Sequence, residues 1–271
     1  MASKKKKRQQ HYSHFETIVI SVMLRMYQLS AANATLFRLF TAQAEYRLKE
    51  LENDLCTNKG CQSVFSHHKL IDKERLEILE AAYSRNVVIT TISMFDSFLS
   101  DLTRFLLIIH PDAISKERQV KVGEILACSN FSGVLDTIIG KYVHELAYKS
   151  IRDRIQYLNQ VFGIDISAFS DQLEKLQKYA DLRNLLIHDT SNFRYHSNRG
   201  RGRLRVVQRN DIPDVAWETA EDVVHICIQV IDAMFNATSI QVFDREPNIR
   251  LLEDLEINTR GEKEANTPNG T

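Results

Sequence analysis

The sequence predicts an all-α fold of long antiparallel helices, and three observations carry that prediction. Only 9 Gly and 4 Pro interrupt 271 residues, of which 44% are hydrophobic. The repeating stretches are dominated by Leu, Ile, Ala, Glu and Lys, residues that enter helices at little cost. Apolar positions recur at three- and four-residue spacing, the period of an amphipathic helix. A chain of this length and composition can bury a core of its own.

Taken in order, residues 1–13 open with Lys4-Lys5-Lys6-Lys7-Arg8 and read as a basic, disordered tail. From His14 to about Leu55, the residues Ile18, Val22, Met26, Leu36, Leu39 and Phe40 fall at helical spacing. They predict one long helix, or two joined near Asn33, within an N-terminal helical extension over 14–70. A polar loop at 58–68 containing Gly60 leads to a second long helix at 72–109, stopped by His110-Pro111. Shorter helices follow at 115–127, 131–148 and 150–162, the last broken by Gly163.

The next helix starts near Ser170, where Asp171 and Glu174 have capping-box spacing, and runs through Leu173, Leu176, Ala180 and Ile187 to Asp189. Residues 193–210 form an arginine-rich loop, with 204–208 patterned like a small hairpin. The last helix spans 215–242, with Asp211 and Pro213 as start signals and Val223, Ile226, Val230, Ile231 and Met234 on its apolar side. Trp217 reads as a core anchor. Residues 257–271 are polar and expected to be disordered.

The 35 basic and 35 acidic residues balance, so any nucleic-acid contact must come from local patches. Thr17 to Leu24 is apolar behind a basic start, but Arg25 cuts it short, which favours a buried helix face over a signal peptide. No stretch reads as a membrane span, and no membrane partner is expected. Cys56, Cys61, Cys128 and Cys227 lack the regularity of a disulfide framework and fit free thiols in a reducing cytoplasm. Cys56 and Cys61 with His67 and His68 allow either a zinc reading or a polar loop; their spacing differs from common zinc knuckles.

The chemically distinctive stretch is Asp181-Leu182-Arg183-Asn184-Leu185-Leu186-Ile187-His188-Asp189. It sets a permanently charged fork and a group that exchanges protons near neutrality into an apolar helical run. Upstream lie Thr91-Ile92-Ser93-Met94-Phe95-Asp96-Ser97-Phe98-Leu99 and the run from Ile151 through Leu158 to Asp165. With these surroundings the Arg-Asn-x3-His spacing resembles the Arg-x4-6-His motif of the HEPN superfamily, in its ribonuclease branch. The resemblance covers roughly residues 85–245 and implies a HEPN-like helical domain, set here at 71–256. Arg85-Asn86 has no histidine at the matching distance.

At about 100° per residue, Asn184 and His188 share a helix face, whereas Arg183 and His188 lie about 140° apart. A second copy meeting the first at a two-fold axis brings both groups into one cleft, and the resemblance implies the same homodimeric site. His188 is then the acid-base group and Arg183 the phosphate anchor, with Asn184 either orienting His188 or touching the sugar. The bland alternative makes Arg183 a salt-bridge partner of Asp96, Asp101 or Glu174, and His188 a cation at its helix C-terminus. Asp96 falls where the family often places an acidic residue, which implies a supporting role.

Arg194, Arg199, Arg201, Arg203 and Arg205 are the expected RNA-binding residues, with Tyr195 and His196 available for stacking. The expected function is metal-independent RNA endonuclease activity without a cofactor, in a toxin or antiviral defence effector held by an antitoxin or regulatory partner. The competing class is a non-catalytic HEPN module that binds nucleotide, RNA or a protein.

Overall fold

The computed structural model describes residues 2–55, 62–114, 121–128, 130–189 and 215–246. Seven α-helices account for most of them: α1 (Ala2–Leu55), α2 (Gln62–Ile109), α3 (Val122–Leu126), α4 (Phe131–Ala147), α5 (Ile151–Phe162), α6 (Ser170–Asp189) and α7 (Trp217–Phe243). Short 3-10 turns at Pro111–Ala113 and Ser167–Phe169 precede α3 and α6, and no strand occurs among the described residues. The all-α class is therefore as the sequence predicts. The loop at 193–210, its hairpin pattern and the polar tail at 257–271 lie outside the described residues.

The N-terminus differs from expectation. Where a disordered tail is expected, α1 begins at Ala2 and continues without a break through Asn33. Lys, Arg and Gln are good helix formers, so a basic run can extend a helix that its neighbours anchor. The anchor is Tyr12, only 2% exposed, whose ring meets Phe243 edge-on at 5.2 Å and carries the Arg245 guanidinium 4.5 Å above it. Arg8 Nη2 also donates to Val242 O at 3.2 Å, satisfying a carbonyl in the last turn of α7. The second long helix likewise starts earlier than 72, at Gln62.

Local signals set the shorter helices. The Asn130 side chain accepts from Gly133 N at 2.8 Å and caps α4. Ser150 Oγ accepts from Asp153 N at 3.1 Å and donates to Asp153 Oδ2 at 2.7 Å, closing the first turn of α5. Gly163 ends that helix with φ 71°, a conformation costly for any residue with a Cβ. Asp165 Oδ1 accepts from Ser167 N at 2.9 Å, a bond that lowers its pKa and shapes the turn into α6. Glu174, at capping-box spacing from Asp171, pairs with Lys178 at 2.8 Å.

Contacts divide the chain into two compact units. Unit 1 comprises Met1–Leu24, Ser93–Lys178 and His225–Thr271; unit 2 comprises Arg25–Ile92 and Tyr179–Val224. The start of the expected extension thus belongs to the same unit as most of the expected HEPN-like domain.

At the core of unit 1 the fully buried Phe15 ring stacks on Phe105, Phe235 and Phe243 at centroid distances of 5.9, 5.4 and 5.7 Å. One side chain of α1 so joins α2 and both halves of the last turns of α7. In unit 2 the buried apolar residues include Met26, Val87, Val88, Ile92, Ala180, Leu186, Val223 and Val224.

The expectation that no segment has the length of a membrane span needs correction for α7. This 27-residue helix is long and apolar enough by composition, with a mean hydropathy of 1.5, and 67% of that window is buried within the protein. Such burial is what a core helix shows. Among the described residues, Cys128 and Cys227 carry thiols rather than disulfides, and complete burial pushes the Cys227 thiol well up.

Replacement Tyr12→Ala tests the role of the first turns of α1. A buried aromatic truncated to Ala is expected to cost on the order of 3 kcal/mol in denaturant unfolding, whereas an equivalent change in a disordered tail leaves the midpoint unmoved.

Candidate functional site

All three motif residues fall on α6, with Arg183 and Asn184 in its third quarter and His188 as its penultimate residue. The helix is two-sided here. Ala180 and Leu186 are buried, while Asn184 is exposed and Leu185 and Ile187 are 46% and 38% exposed. Apolar residues on the open side of a helix mark a face that another surface can cover.

Arg183 is half-buried and its Nη1 donates to Asn184 Oδ1 at 3.0 Å. The neighbouring amide therefore holds one edge of the guanidinium fork, a role for Asn184 different from the two expected. A guanidinium fork is well matched in geometry to a phosphate.

One turn before Arg183, Tyr179 OH donates to Asp222 Oδ2 on α7 at 2.5 Å, both residues within unit 2. Burial and then the Asp222 carboxylate push the Tyr179 phenol up to about 12. This bond ties the helix of the motif to α7 and was not expected from the sequence. Its partners lie 43 residues apart, and nothing in the local pattern singles out either.

Asp96, expected to support the motif, is held by another arginine within unit 1. Arg154 is 4% exposed, and its Nη1 donates to Asp96 Oδ1 at 3.0 Å. Its Nη2 donates to Asp96 O at 3.0 Å and to Ser100 Oγ at 2.9 Å. Burial lowers the Arg154 pKa and the Asp96 carboxylate opposes that shift. A guanidinium nonetheless stays protonated in a protein, so the charge is a permanent one that Asp96 offsets.

A signal for Arg154 was present. Ile151, Arg154, Ile155 and Leu158 share one helical stripe, and all four are buried. An arginine on an apolar stripe requires a buried acceptor. Of the acidic residues weighed as partners of Arg183, Asp96 is thus engaged by Arg154 and Glu174 by Lys178.

The RNA-binding candidates Arg194, Arg199, Arg201, Arg203 and Arg205, with Tyr195 and His196, lie outside the described residues. So do Cys56 and Cys61, while His67 and His68 fall in α2. Among the described residues no group of three or more His, Cys, Asp or Glu is placed to hold a metal ion.

The fold and this geometry define an all-α protein with an arginine-asparagine-histidine helix. Comparison with family models, with curated proteins and with solved structures finds no match to this chain.

Two outcomes follow from these bonds. Asp96→Ala leaves a buried guanidinium without its counter-charge and is expected to cost about 3–5 kcal/mol, whereas Arg154→Met, which fills the space without a charge, is expected to be much milder. Equal losses in urea unfolding contradict that assignment. Tyr179 is neutral in the folded state past its ordinary pKa of about 10, so its contribution is complete below pH 10 and is lost as pH rises toward about 12. Tyr179→Phe is expected to remove that share of the alkaline destabilisation.

Proposed function

We propose that this protein is a metal-independent RNA endonuclease of the HEPN type that acts as a homodimer. The observation that carries the reading is the coupling of Arg183 to Asn184 on the helix that also bears His188. It combines a cation shaped for phosphate with an acid-base group in one short segment.

His188 takes the proton of an RNA 2'-hydroxyl, whose oxygen then attacks the adjacent phosphorus. The bond from phosphorus to the 5'-oxygen breaks, and a protonated imidazole returns a proton to that leaving oxygen. An unperturbed imidazole pKa of roughly 6.5 suits both transfers near neutral pH. Arg183 stabilises the extra negative charge on the crowded phosphorus, the kind of contribution that commonly dominates such catalysis. The nucleophile is part of the substrate, so the residues need supply only protons and charge.

Two copies explain how groups about 140° apart on one helix serve one phosphate. The exposed Leu185 and Ile187 beside Asn184 supply apolar surface for that association. The arginines from Arg194 to Arg205 leave the same helix and contribute RNA affinity. Release of such activity in a cell calls for restraint, which fits a cytoplasmic toxin or antiviral effector kept in check by an antitoxin or regulatory partner.

Purified protein is expected to cleave RNA in EDTA, and Arg183→Ala and His188→Ala each to slow cleavage by at least about a hundredfold with unchanged circular dichroism. Mixing the two inactive variants is expected to restore part of the activity through composite sites. Binding without any cleavage by the parent protein overturns the enzyme and leaves a non-catalytic RNA-binding module.

Changing Arg199, Arg201 and Arg203 together to Gln is expected to weaken RNA binding and flatten its salt dependence, by about 0.7 in slope per lost phosphate contact. Cleavage at saturating RNA is expected to change little. Unaltered affinity and slope remove this loop from the RNA track.

A further inference from the structure

The basic run from Lys4 to Arg8 takes no part in the chemistry proposed above, yet it forms the opening turns of α1. At about 100° per residue, Lys6, Lys7, Gln10, Ser13, His14 and Thr17 fall within an arc of about 120° around that helix. All six are exposed. Tyr12, Phe15 and Val19 lie on the other side and are buried. The stripe over residues 6–17 therefore carries polar and basic side chains and no apolar one.

Its charge has one sign. Glu16 is the only acidic residue before Glu45, and it lies about 180° from Lys7 around the helix. Among the described residues no carboxylate is within ion-pair distance of Lys6, Lys7, Arg8 or Arg245. Arg8 and Arg245 add two guanidinium groups at this end of unit 1, one bonded to Val242 O at 3.2 Å and the other 4.5 Å above the Tyr12 ring. Burial and then the charges of Lys7 and His14 push the His11 imidazole down, as gathered positive charge does.

The stripe is also fixed in place. The His11 and His14 rings lie 6.4 and 5.7 Å from the ring of Phe105 on α2, beside the stack of Phe15 on Phe105. The lysines thus project from an anchored helix, which removes part of the ordering cost that a coil bears on binding. Lysine charges neutralise phosphates, and the amide and hydroxyl groups of Gln10, Ser13 and Thr17 suit phosphate oxygens and 2'-hydroxyls. A helix that lies in a membrane surface sets an apolar face beside its cations, and this side of residues 6–17 has none.

We propose that the exposed stripe of Lys6, Lys7, Gln10, Ser13, His14 and Thr17 binds the sugar-phosphate backbone of RNA. The contact needs no cleavage and no group of α6, so it stands whether or not His188 transfers a proton. Backbone contacts carry no base information, and binding through this stripe is indifferent to RNA sequence.

The test is a titration of labelled oligouridylate with the full chain carrying His188→Ala, in EDTA, over a range of salt concentrations. Lys6→Gln with Lys7→Gln removes two charges and keeps good helix formers in their place. This pair is expected to weaken binding and to flatten its logarithmic salt dependence by about 1.4, about 0.7 for each lost phosphate contact. Lys6→Arg with Lys7→Arg is expected to bind as the parent does. Lys121→Gln with Lys149→Gln removes two exposed charges elsewhere in unit 1 and is expected to leave the slope unchanged. No loss from the first pair, or equal losses from the two Gln pairs, overturns the proposal. So does a first pair that keeps RNA affinity but no longer binds vesicles of anionic phospholipid, a result that assigns the stripe to a membrane surface.

Discussion

A charge buried at 4% exposure has to be answered, and the answer to Arg154 fixes much of unit 1. Its guanidinium takes the Asp96 carboxylate, the Asp96 carbonyl and the Ser100 hydroxyl, three acceptors within one and a half turns of α2. An arginine bound in this way sets both the rotation and the height of α5 against α2, which a set of greasy contacts alone would leave looser. From that point the chain has little freedom. Gly163 ends α5 in a left-handed turn, Asp165 organises the next residues, and α6 begins at Ser170.

The aromatic core works differently. Phe15, Phe105, Phe235 and Phe243 are large rings in mutual contact, so their energy comes from area removed from water and from ring packing rather than from direction. This cluster draws the N-terminal turns of α1 into unit 1. Tyr12 extends it by one turn and gives the basic residues before it a helix to continue.

The spans of α4 and α5 were legible in the sequence, and Gly163 closes α5 where the pattern placed its end; the caps Asn130 and Ser150 are what the structure adds. What failed was whatever depends on distant partners. The basic N-terminus reads as a tail until Tyr12 is seen against Phe243, more than two hundred residues later. The bond of Asp96 to Arg154, 58 residues on, was likewise not read from the sequence, although the place of Arg154 on an apolar stripe signalled a buried ion pair. The candidate site was legible only as a linear motif. The Arg183 to Asn184 bond refines it, and the Tyr179 to Asp222 bond adds a tie that only three-dimensional proximity reveals.

An all-α fold hosts many activities, so the weight of the functional reading rests on the chemistry that Arg183, Asn184 and His188 can perform together. The most direct measurement of that chemistry is mass spectrometry of the ends of RNA fragments formed in EDTA. Attack by the 2'-hydroxyl leaves 2',3'-cyclic phosphate and 5'-hydroxyl ends, which is the result expected here. Fragments bearing 3'-hydroxyl and 5'-phosphate ends come from attack by water, and they would contradict the account.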